Sequence, residues 1–169
     1  MGYTTDFHGS FNLDKPLTAA QVAYLTAFSG TRRMKRNATA AGLLADPIRL
    51  AVGLLVGVEG GYYVGDTADY GQSRTPDILD YNSPPSGQPG LWCQWAVNDL
   101  GTVIEWNGAE KFYNYVEWLA YLIEHFLKPW GYKLNGEVSW IGEDPDDRGK
   151  IIVGDNVVST KKARIVYED

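Results

Sequence analysis

The chain has 169 residues, 44% hydrophobic and 21% charged, which fits one domain with a core of its own and argues against wholesale disorder. Its formal charge of −6 argues against a general nucleic-acid binder, because neutralising phosphates needs a basic field. The single cysteine, Cys93, excludes an intramolecular disulfide framework and a multi-cysteine zinc site.

Six Trp and eleven Tyr are a heavy load for this length. Such rings stabilise cores, but Tyr and Trp also supply recognition surfaces at low entropic cost. No basic stretch leading into an apolar run opens the sequence, and no apolar run reaches about 18 residues, so neither secretion nor membrane spanning is expected. The expected compartment is cytoplasmic.

In chain order, the first element is a strand over Tyr3–Leu13, where Tyr3, Thr5, Phe7, Gly9, Phe11 and Leu13 alternate with polar neighbours. A helix follows, opened by the capping-box pair Thr18 and Gln21, with Leu17 and Val22 at the staple positions. Arg32, Arg33, Lys35 and Arg36 form the strongest basic cluster of the first half, and Asp46-Pro47 starts a short helix. Residues 59–90 are rich in Gly, Pro, Asp, Ser and Tyr without a sustained period, so they are read as a long irregular insert.

Regular structure resumes with a hairpin, Leu91–Val97 and Thr102–Trp106, around Asn98–Gly101. Asn107 with Glu110 then predicts the cap of a helix running to Lys128 before Pro129. Three strand-like stretches close the chain: Tyr132–Ile141, Lys150–Val153 and Val157–Tyr167. The predicted fold is a single α+β domain over residues 1–169. It has a ferredoxin-like β-α-β-β-α-β core, the insert at 59–90 and extra strands after the core.

Chemistry is harder to find. The two histidines, His8 and His125, stand in no metal-ligand or nucleophile-base spacing, and no G-x-S-x-G elbow or phosphate loop is present. The acidic run Glu143–Asp147 surrounds a proline and precedes Gly149, which reads as a solvated turn rather than a metal site. No catalytic residue, metal or cofactor is assigned. Cys93, between Trp92 and Trp95 in an apolar run, reads as a buried thiol.

Candidate binding residues are Tyr62, Tyr63, Tyr70 and Tyr81 of the insert, Trp92 and Gln94 beside it, and His8 with Glu137. In a ferredoxin-like sheet the first strand neighbours the one after the second helix. Asp6, His8 and Ser10 then share the helix-free face with Asn135, Glu137 and Ser139. Asn114, Trp118, Tyr121 and His125 make a second helical stripe, to be covered by another element of the chain or offered to a partner.

Three stretches, Thr31–Arg36, Gly87–Trp95 and Asn135–Asp144, together resemble a family of small uncharacterised proteins of bacterial and phage genomes. The resemblance spans most of the chain and carries no activity. It implies a bacterial or phage setting, in which compact non-enzymatic proteins often inhibit or sequester host components.

Three functions follow in order of expectation. The first is a non-enzymatic binding protein, a phage-type inhibitor or adaptor acting on a host protein through the Tyr-rich insert. The second is a sequestering protein for a small nucleotide-like ligand, with His8, Glu137 and Gln94 as polar anchors. The third is a hydrolase or transferase using His8 with Glu137.

Overall fold

A computed structural model describes residues 2–65 and 74–169. The alternation at the start of the sequence becomes β1 (Thr5–Leu13), which pairs along its whole length with β6 (Leu134–Gly142), from Thr5 opposite Gly142 to Leu13 opposite Leu134. Because side chains alternate across a strand, Phe7 and Phe11 share the core face with Leu134, Val138 and Trp140. Gly9 and Gly136 lie within this pair at φ +111° and +142°. A Cβ at Gly9 would stand 2.6 Å from the Glu137 carbonyl oxygen, and one at Gly136 would stand 2.8 Å from that of Ser10. The central strands approach too closely at both points for a side chain.

The helix α1 (Ala19–Ser29) has the expected capping box: Thr18 Oγ1 accepts from Gln21 N and Gln21 Oε1 accepts from Thr18 N. A two-residue strand, β2 (Lys35–Arg36), leads to the short helices α2 (Ala38–Gly42) and α3 (Pro47–Ala51). The insert is not wholly irregular. It contributes a 3-10 turn at Val58–Gly60 and β3 (Ile78–Asp80), which pairs with β2. The hairpin of β4 (Trp95–Val97) and β5 (Val103–Trp106) closes on Asn98, whose Oδ1 accepts from Thr102 N and Val103 N.

The following helix, α4 (Tyr115–Leu122), starts seven residues later than the Asn107 cap predicts, with Asn114 at the N-cap position instead. Gly108, Lys111 and Asn114 hold φ of +83°, +60° and +55°, which no right-handed helix tolerates. Asn107 instead accepts from Ala109 N in a local turn, and Phe112 enters the core from a loop. Beyond Leu122 the helix widens into a π turn, Ile123–Leu127, closed by Lys128 N donating to Ile123 O.

The last strands are β7 (Arg148–Gly154) and β8 (Val157–Lys162). The main sheet is antiparallel, in the order β4-β5-β1-β6-β7-β8. One aromatic-rich cluster joins its core face to α1 and α4: Phe7 packs on Tyr115 and Trp95, and Phe28 on Trp118 and Phe126. The acidic turn between β6 and β7 anchors the start of β1. Asp147 accepts from Tyr3 Oη and Trp140 Nε1, and Glu143 accepts from Thr4 N.

Candidate functional site

The basic cluster of the sequence is turned inward. Arg33, Arg36 and Arg49 are all buried. Arg33 Nη2 donates to the carbonyls of Gly61 and Tyr63 at 2.9 and 2.8 Å, and its guanidinium lies 4.2 Å over the Phe28 ring. Arg36 pairs with Asp77 at 2.7 Å, and Arg49 with Asp46 at 2.7 Å. Burial alone would raise the Asp77 pKa; hydrogen bonds from Thr75 and Arg36 outweigh it and hold the carboxyl below its usual value. Arg33 and Arg36 fasten the insert to the core, whereas Arg49 closes on Asp46 and the Leu54 carbonyl within its own segment.

The tyrosines are fastened with it. Tyr63 is buried under the Arg36 guanidinium, and Tyr81 lies between the guanidinium groups of Arg32 and Arg74, each 4.3 Å from its ring. Tyr62 packs on Phe126, its carbonyl accepts from Tyr24 Oη, and its hydroxyl meets His125. Tyr70 lies outside the described residues. Gln88 Nε2 donates to Tyr121 Oη and Gly61 O, and Asn114 Nδ2 donates to Pro89 O. The second stripe of the helix, Trp118 and Tyr121 above all, is thus covered by the chain itself. The described part of the insert packs on the helices and does not lie over the His8 face.

On that opposite face, His8 stands across from Ser139 and Ser10 across from Glu137. His8 and Glu137 are therefore diagonal neighbours on one open surface. Both are exposed, and Glu137 is ion-paired with Lys150 at 3.5 Å.

Trp92 and Gln94 belong elsewhere. They line a cleft of about 440 Å³ between the segment from Gly90 and the loop Glu110–Asn114, and both also line an adjoining recess of about 330 Å³. Gln94 is buried and committed on both ends of its amide: Nε2 donates to Glu110 O and Oε1 accepts from Trp106 Nε1. It shapes the wall, and half-buried Trp92 is the ring a ligand would meet. Two non-glycine residues of the facing loop, Lys111 and Asn114, are held in left-handed conformations, a form of strain that gathers at binding sites.

One surface feature lies in the segment of weakest periodicity. Leu43, Leu50, Leu55 and Val58 are between 64% and 84% exposed. Leu50, Leu55 and Val58 rim a recess of about 620 Å³ together with Gly42 and Val56, and Leu43 follows Gly42 at the end of α2. Several large apolar side chains clustered at an open recess mark an interaction surface. The signal in the sequence is Leu43-Leu44 and Leu54-Leu55-Val56 flanking a helix of only five residues, too short to bury them all.

Cys93 is fully buried, and burial pushes its thiol up to about 12, so it carries no thiolate at neutral pH. Among the described residues, no group of His, Cys, Asp and Glu could hold a metal ion, and no helix is long and apolar enough to cross a membrane. Comparisons with protein-family models, with curated proteins and with solved structures gave no match.

Proposed function

We propose that this is a non-enzymatic binding protein, an inhibitor or adaptor of the phage type, that docks a host protein on the platform of Leu43, Leu50, Leu55 and Val58. The exposure of Leu50, Leu55 and Val58 around one recess, with exposed Leu43 next in the chain to Gly42 of its wall, is the observation that carries the reading. Covering each one withdraws apolar surface worth roughly 1.5–3 kcal/mol, enough for a small set to dominate an interface. His8 and Glu137 lie in the open, and Glu137 is already paired with Lys150, so they lack the sheltered setting of acid–base catalysis. The same reading takes β1, α1, β4, β5, α4 and β6 as a ferredoxin-like core. The strand order β4-β5-β1-β6, with a helix in each of the two crossover connections, supports this.

A second reading has its own observation. The Trp92 cleft has the volume of a small-ligand site and a strained wall, which favours a ring-bearing, nucleotide-like ligand stacked on the indole. Affinity capture from a bacterial host lysate separates the two. Wild type, Leu50→Asp/Leu55→Asp and Trp92→Ala serve as baits, with mass spectrometry of retained proteins and small molecules. The expected result is a protein held by wild type and Trp92→Ala and lost by the folded platform variant. A partner held equally by the platform variant overturns the first reading. A small molecule lost only with Trp92→Ala establishes the second.

A further inference from the structure

Among the described residues the outermost strand, β8, pairs with β7 alone, and Ser159–Lys162 are exposed. On the core side, β8 starts beside a groove of about 630 Å³. Ala120, Ile123, Tyr132, Val157 and Val158 line its apolar part, and its polar rim is mixed, with Lys128 paired to Glu124 and with Lys133 and Asp155.

The residues after β8 are Ala163-Arg164-Ile165-Val166-Tyr167-Glu168-Asp169, a strand-forming apolar run ending in two carboxylates. Ala163 N still donates to Arg148 O, continuing the ladder by one step, whereas Ile165, Val166 and Tyr167 are 53%, 73% and 90% exposed. We propose that these residues dock on a second copy of the chain, in an antiparallel dimer formed by pairing β8 with β8.

Direction selects this occupant. The groove lies at the Val157 end of β8, whereas residues 163–169 leave from the Lys162 end, roughly 17 Å away at strand rise. Reaching its own groove would require the chain to reverse, and the run from Thr160 to Tyr167 contains no Gly, Pro, Asn or Asp to turn it. Antiparallel pairing across a two-fold axis near Thr160 sets each Lys162 end beside the other copy's Val157 end. Ile165, Val166 and Tyr167 then continue toward the apolar part of the other copy's groove.

The contact is isologous, so both grooves are filled at once. Lysines on an edge strand usually resist such pairing. Here Lys161 and Lys162 fall opposite Ser159 and Val158 of the other copy, and not opposite each other.

Sedimentation velocity of the full chain over a range of concentrations tests the proposal, with circular dichroism confirming that each variant is folded. Wild type is expected to dimerise. Ile165→Asp/Val166→Asp and Val157→Asp should each weaken the dimer by roughly a hundredfold or more, while Leu50→Asp, on the platform, leaves it unchanged. In a Cys93→Ser background, Thr160→Cys should form an intermolecular disulfide, since facing residues of antiparallel strands bring their Cα atoms to about 5 Å. A wild-type chain that stays monomeric overturns the proposal. So does a dimer indifferent to Ile165→Asp/Val166→Asp, or a dimer in which Thr160→Cys fails to cross-link.

Discussion

The Tyr62 hydroxyl meets Nδ1 of His125 at 2.7 Å, while the imidazole lies flat on the Tyr121 ring with centroids 4.0 Å apart. The insert is thereby joined to the π turn through a titratable group. Burial lowers the His125 pKa, with Glu124 acting weakly in the other direction, and burial raises that of Tyr62. At neutral pH the phenol keeps its proton and the imidazole is uncharged, so the two share one hydrogen bond whose direction the imidazole tautomer sets. Because the folded imidazole takes up a proton less readily than the unfolded one, the unfolded chain holds more protons between the two pKa values, and stability rises with pH there. This contribution is complete above the unfolded value near 6.5 and disappears as pH falls through the lower folded value. Thermal unfolding should show a lower Tm at about pH 5 than at about pH 7.5, and His125→Gln should flatten that part of the profile. A profile unchanged by His125→Gln would remove the pair from any role in stability.

Arg33 is the pin on which the insert hangs. Truncation to Ala withdraws the donor to the carbonyls of Gly61 and Tyr63, and Gly61 O keeps Gln88 Nε2. It also uncovers the face of Phe28. A loss of about 3 kcal/mol is expected in urea unfolding. Limited proteolysis should cut within residues 59–90 of Arg33→Ala before it cuts the sheet. Wild-type stability together with an intact proteolytic pattern would disprove the assignment.

Gly9 and Gly136 make a sharper test of the central strand pair. An added methyl at Gly9 meets the Glu137 carbonyl, at a φ that alanine also avoids. Gly9→Ala should cost at least about 2 kcal/mol, and Gly136→Ala a similar amount. Alanine variants as stable as wild type would mean that β1 and β6 can separate at little cost.

Much of this architecture could be read from local pattern. The alternation of residues 3–13, the Thr18 capping box and the Asn98 turn each state their own conformation, and β1 does lie beside β6. The start of α4 shows the limit. Asn107 and Glu110 satisfy the capping pattern, but Gly108, Lys111 and Asn114 take left-handed values that only their tertiary setting imposes. Burial is likewise not a local property. Arg33 and Arg36 look like solvated charge until Gly61, Tyr63 and Asp77 arrive from more than 25 residues away, and Leu50 and Leu55 look like core until their helix proves too short. The tyrosines suffer the same ambiguity: Tyr62, Tyr63 and Tyr81 hold the insert down, and of the sequence candidates Trp92 and Gln94 line a cleft.

The pairing of β1 with β6 also sets a timetable for synthesis. Leu13 finds Leu134, and Thr5 finds Gly142, only when more than a hundred further residues have been made. At roughly 5–20 residues per second, β1 is available on the order of ten seconds before its long partner exists. During that interval Phe7 and Phe11 have only α1 and, later, the β4–β5 hairpin to shelter them. Closing so long a loop places the protein among slow-folding topologies. Nascent chains stalled ahead of residue 134 should therefore be the species most prone to engage chaperones, and those released beyond residue 142 the first able to fold.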